Sequence, residues 1–155
     1  MKEIGSGERD SGQWDKADFK FDYVIGASMF VKRKFVVSVG KMTEDYFLYF
    51  EELDWAIRGK IKEWQMEFCP SAIIFHKLGA STGSGKKKEI SELSDFYSVR
   101  NRIIIARRYF PLTVFTLYPA FMLFVLRRIR AKKHERIKML FKLLLNPWQH
   151  YSRRK

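Results

Sequence analysis

Three carboxylates, Glu51, Glu52 and Asp54, crowd into FLYFEELDWAIR, the stretch from residue 47 to 58, and Phe47, Tyr49, Phe50 and Trp55 wall them in. Like charges this close repel, and apolar neighbours raise the cost of ionising each one. The cluster therefore calls for a compensating cation or a chemical use. One use is general-base chemistry, in which desolvation moves a carboxyl pKa toward the working pH so that it takes a proton from a substrate hydroxyl. The ordinary alternative is an acidic helix start, worth about 0.3–1 kcal/mol per carboxylate beside the exposed amides. The aromatic run ahead of the acids favours the first reading, because a solvated cap needs no such wall.

Two further groups carry chemistry. His76 ends the apolar run AIIFH and stands directly before a loop rich in Gly, Ser and Lys. A lone histidine is more often packed than ligating, but this position suits a metal ligand. Lys86, Lys87 and Lys88 in the loop could neutralise a diphosphate, although a solvated charge run explains them equally well. The loop is not a Walker A cradle, because Ala80 and Lys87 stand where GxxxxGK[ST] needs Gly and Ser or Thr. Arg100–Asn101 is a further polar pair of the same ambiguous kind.

These residues need elements to position them. Residues 1–20 are polar and read as irregular. YVIGASMFVKR, residues 23–33, is apolar and partly β-branched, with Gly26 where a backbone turns or approaches closely, and predicts a buried strand or strand pair. FVVSVGKM carries on to Gly40. From Glu51 to about Lys60 the spacing of Leu53, Ala56 and Ile57 predicts a short helix with acids at its start and Arg58 and Lys60 at its end. AIIFH predicts a buried strand. From about Ile90 the chain reads as helical and grows basic.

Residues 110–126 are 17 uncharged residues in a row. As a helix they span roughly 25 Å, short of a ~30 Å hydrocarbon core, and Pro111 and Pro119 are expected to interrupt or kink it. Basic residues flank both ends, so no orientation is preferred, and an in-plane or re-entrant element, or a single tilted span, is expected. IKMLFKLLLNPWQHYSRRK then has the composition of an interfacial amphipathic helix.

Composition narrows the class. The chain has 155 residues, 46% hydrophobic, and a formal charge of +13, enough for a folded domain and unlike a disordered chain. The charge is uneven: residues 1–99 hold 15 Lys/Arg against 16 acids, whereas residues 100–155 hold 15 against Glu135 alone. A basic tail suits an anionic membrane or a nucleic acid. Long aliphatic runs between its charges, and no RNP, zinc-finger or helix-turn-helix signature, leave no nucleic acid expected. The single Cys69 excludes an internal disulfide and fits a reducing compartment. The first residues lack the apolar segment of a signal peptide.

The ordered set GERDSGQWD, DYVIGASMFVKR, VGKMTEDYFLYFEELDWAIR, PSAIIFHKLGASTG and YSVRNR resembles the C-terminal half of bacterial inverting family-2 glycosyltransferases, nearest in character to the rhamnosyltransferase-like group. The resemblance covers roughly residues 5–110. It implies an α/β fold, the C-terminal portion of a GT-A domain over residues 1–109, with residues 110–155 a basic, membrane-associated helical tail. It matches Glu52 to the catalytic base, with Glu51 as its neighbour and alternate. Asp54 matches a second acid shaping the acceptor pocket. Gly26 and Ala27 match a turn near the sugars, His76 the ligand of a divalent Mg²⁺ or Mn²⁺, and Trp55, Lys86, Lys87 and Arg100 serve as substrate-binding groups.

The implied partners are a nucleotide-diphospho-sugar donor, a lipid-linked or polysaccharide acceptor and an anionic membrane surface, at the cytoplasmic face of a bacterial inner membrane. The family's DxD motif does not occur here. The chain therefore looks like a fragment that does not transfer sugar alone. The competing reading is a non-catalytic basic protein that binds a membrane surface or nucleic acid.

Overall fold

The computed structural model describes residues 8–16, 21–75 and 91–151. Five α-helices appear among them: α1 (Arg33–Val39), α2 (Glu51–Ile61), α3 (Glu92–Tyr109), α4 (Val114–Arg130) and α5 (His134–Leu145), with single 3-10 turns at Gly26–Ser28 and Pro111–Thr113. The described residues contain no β-strand, which corrects the α/β expectation. The reason is the lack of a neighbour: a strand's amides and carbonyls need another strand, and its apolar face needs a covering layer. Among the described residues neither 23–32 nor 72–75 has a partner strand, and Phe30 and Phe75 stand 96% and 97% exposed instead of buried.

The helices form where local and tertiary signals agree. In α3, the Ser91 hydroxyl accepts from the Ser94 amide at 3.1 Å, Glu92 and Asp95 occupy the first turn, and Arg107 and Arg108 the last. This is the charge order that the helix dipole favours. Its length packs into two cores. Phe96, Tyr97, Val99 and Ile103 meet Phe121 and Val125 of α4 and Leu140 and Leu143 of α5. Ile104 and Ile105 meet Tyr46, with Leu53 and Ile57 of α2 packed against them. Helix α3 ends at Tyr109, and the first core joins it to α4 and α5 beyond that point. Asp95, buried, ion-pairs with Arg128 of α4 and at 3.4 Å with Arg136 of α5, tying the tail to α3.

Of the two prolines expected to interrupt or kink this segment, Pro111 falls in the 3-10 turn that separates α3 from α4, and Pro119 lies within α4 without interrupting it. Pro119 is the sixth residue of α4, so it both removes the hydrogen bond to the Phe115 carbonyl and crowds that carbonyl with its ring. Among the described residues no helix is long and apolar enough to cross a membrane. Helix α1 packs on α2 through Phe35, whose ring meets Trp55 and Trp64 edge-on at 5.0 and 5.5 Å. Gly59 makes this approach possible, since a Cβ there would lie 2.6 Å from the Phe35 ring.

Candidate functional site

The acidic cluster opens α2, and the loop that launches it is unusual. Phe47, Tyr49 and Phe50 all have positive φ, at 62°, 67° and 73°. Non-glycine residues avoid this region at about 1–3 kcal/mol each, so surrounding structure must hold them there. Asn101 of α3 does so. Its Nδ2 donates to the carbonyls of Tyr46, Leu48 and Tyr49 at 2.9, 2.7 and 2.8 Å. Its Oδ1 accepts from Arg100 at 2.7 Å, and the same arginine donates to the Asp45 and Gln149 carbonyls.

Arg100, expected to bind substrate, is thus a buried clamp, 1% exposed. Its guanidinium donates to protein oxygens rather than facing an open site. In the sequence Asn101 is only half of an ambiguous polar pair. Its role depends on carbonyls 52 to 55 residues away, which no local signal announces.

The clamped loop delivers Glu51 and Glu52 as the first two residues of α2. Glu52 Oε1 accepts from the Gly26 amide at 3.1 Å, which seats the carboxylate on the exposed Gly26–Ala27 turn. Only glycine at 26 leaves Glu52 in this position: a Cβ there would lie 2.7 Å from Glu52 Oε1 and 2.9 Å from its Cγ. Glu51 lies alongside with its Oε2 buried and, among the described residues, without a hydrogen-bond donor. Burial pushes the Glu51 carboxyl above its ordinary value, and the neighbouring Glu52 charge adds to the rise.

Asp54 goes elsewhere. It is fully buried and accepts from Arg58 Nε at 2.8 Å, Arg108 Nη1 at 3.2 Å, Tyr46 at 3.0 Å and Tyr109 at 2.6 Å. Burial first, then the bond to Asp54 and its charge, push the Tyr109 hydroxyl up to about 12. Tyr46 is raised as well, by burial and then by the Asp54 charge. Arg108 also holds Asp45 at 2.7 Å, and this hydrogen bond keeps the Asp45 carboxyl below its ordinary value. Asp54 is therefore an ion-pair node that fixes α2 to α3, not an acid lining an acceptor pocket. Trp55 likewise belongs to the packing: it donates to the Gly40 carbonyl at 2.8 Å and abuts Phe35, so it does not face a sugar.

His76, Lys86 and Lys87 lie outside the described residues. Among the described residues no group of three His, Cys, Asp or Glu side chains could hold a metal ion. With Asp54 committed to two arginines, Glu51 and Glu52 alone do not make a divalent-metal site. A separate cleft of about 220 Å³ is lined by Ile104, Arg107, Arg108, Pro147 and Trp148 and shares no lining residue with the acidic pair.

No family model, curated protein or solved structure matches this chain.

Proposed function

We propose that the chain forms the acceptor side of an inverting glycosyltransferase of the family-2 type. The contact between Glu52 and Gly26 carries the reading. EELD and IGAS, 26 residues apart at that contact, are separate motifs of the resemblance, and they meet at one exposed turn. Glu52 takes the proton of an acceptor hydroxyl as its oxygen attacks the anomeric carbon of a nucleotide-diphospho-sugar. The bond to the diphosphate breaks on the opposite face, and the diphosphate leaves with the electron pair. Glu51, raised by burial, is the alternate proton acceptor. The acceptor is a hydroxyl of a lipid-linked or polysaccharide chain.

In this reading a separate segment with a DxD motif holds the donor and supplies the sheet of the GT-A fold. Exposed Ile25, Phe30, Ile73 and Phe75, from the two segments read as strands, suit contact with such a sheet. The test starts by translating the DNA upstream of the Met1 codon in every forward frame. A DxD-bearing segment found there is produced with this chain and assayed for transfer from nucleotide-diphospho-sugars. Transfer by the pair that Glu52→Gln abolishes, with donor binding retained, supports the reading. A fully active Glu52→Gln variant excludes Glu52 as the base. Robust transfer by this chain alone, or the lack of any such segment, overturns the division between donor and acceptor sides.

A further inference from the structure

Helix α4 is apolar on both faces, unlike a surface helix of a water-soluble protein. Its inward face carries Phe121, Val125 and the ion-paired Arg128. Its outward face carries Phe115, Pro119, Met122, Leu126 and Ile129, at the i, i+4, i+7 spacing of one helical stripe, with no charge among them. The four other than Pro119 are between 44% and 77% exposed. A helix that packs on one face normally shows polar residues on the other, and a continuous exposed apolar strip marks a contact surface. The strip from Phe115 to Ile129 is about 21 Å long. Arg127, Arg130 and Lys132, all exposed, border its C-terminal end. Beside it, Phe141 of α5 touches Phe121 at 5.3 Å and begins a second exposed apolar row with Leu145 and Trp148.

We infer that this strip seats the protein in the plane of an anionic lipid bilayer, with α4 lying along the interface. Charge selects this occupant. A second copy packed strip to strip would bring together two segments that each hold 15 Lys/Arg against one acid, whereas anionic headgroups complement the bordering arginines and lysine. The apolar strip itself gives a nucleic acid nothing to pair with, while the acyl boundary of a bilayer accepts it directly. Among the described residues no helix is long and apolar enough to span, which fits a helix that lies flat. The inference does not depend on sugar transfer and stands or falls separately from it.

The test is co-sedimentation of the full chain with vesicles of phosphatidylcholine alone and of phosphatidylcholine mixed with phosphatidylglycerol. The expected result is strong binding to the mixed vesicles, cut at least about tenfold by Met122→Glu with Leu126→Glu at unchanged helix content. Arg127→Gln with Arg130→Gln should reduce the preference for anionic lipid. A label at Met122→Cys, in a Cys69→Ser background, provides a second readout that needs no disruptive charge. Its emission should shift to the blue when mixed vesicles are added. A label that stays in water, or binding unchanged by the two glutamates, overturns the inference. So does a dimer in sedimentation velocity that those glutamates dissociate while vesicles go unbound, or salt-sensitive capture of oligonucleotides in place of vesicles.

Discussion

Glu52 and Gly26 are matched in shape as well as hydrogen-bonded: the carboxylate accepts from the amide at 3.1 Å and fills the space where any other residue would put a Cβ. Gly26→Ala should therefore swing Glu52 away at small cost, because the displaced atoms are the end of a flexible side chain at an exposed turn. Stability should change by less than about 1 kcal/mol. In a completed transferase, kcat/KM should fall by about 10- to 100-fold from the misplaced base. Melting curves and transfer assays on the same preparation check the split. Full activity in the alanine variant would remove this contact from the mechanism.

Glu51 gives the molecule a pH-dependent term whose sign is fixed. Its folded pKa lies above the ordinary 4.5 because burial opposes its charge. The folded state therefore holds its proton more tightly than the unfolded state, and this contribution to stability is complete below the unfolded value. It is lost as pH rises through the folded one. Glu51→Gln, which stays neutral, should match the parent at about pH 4 and become progressively more stable than it toward about pH 7. Denaturant titrations across that range test this. Parallel curves would mean that Glu51 ionises as freely folded as unfolded.

The elements that the sequence made legible are those whose signals are local. Acids at 51, 52 and 54 with basic residues at 58 and 60 announced α2, which runs Glu51–Ile61, and the helical stretch expected from about residue 90 begins at Glu92. The strands were misread because β-branched composition shows only that a segment can pair, not that a neighbour is present. Helix α1 went unnamed because Val36, Val37 and Val39 disguise it, and Phe35 packing over Gly59 is a long-range fact. Glu52 and Gly26, both singled out by the sequence, are brought into contact by the fold. Asp54 and Arg100 were assigned to substrate because a charged residue reads the same whether its partner is a ligand or another part of the chain.

Asn101 is the residue whose loss should disturb the site most without touching it. Asn101→Ala removes the amide that bonds the carbonyls of Tyr46, Leu48 and Tyr49, one buried and two partly buried, and frees a loop held at positive φ; it should cost about 2–3 kcal/mol. Asn101→Asp, nearly isosteric, should be worse than alanine, because it turns an acceptor toward carbonyl oxygens. Hydrogen exchange at residues 46–50 and chemical denaturation of both variants decide the order. If aspartate were the milder change, the amide would not be the clamp.

Asp54 separates a structural from a catalytic carboxylate. Asp54→Ala leaves Arg58 and Arg108 without the buried charge they share and should cost about 3–5 kcal/mol, as breaking a buried ion pair does. Asp54→Asn keeps an acceptor for the Tyr46 and Tyr109 hydroxyls and should cost less. Because Asp54 faces arginines rather than the Gly26 turn, any activity lost in the asparagine variant should follow the fraction unfolded and return on cooling or with a stabilising osmolyte. Glu52→Gln should show the opposite behaviour: an unchanged melting temperature, and a loss of turnover that neither treatment restores. Measuring both variants with and without osmolyte distinguishes the two roles, and an Asp54→Asn protein that is fully folded yet inactive would return Asp54 to the site.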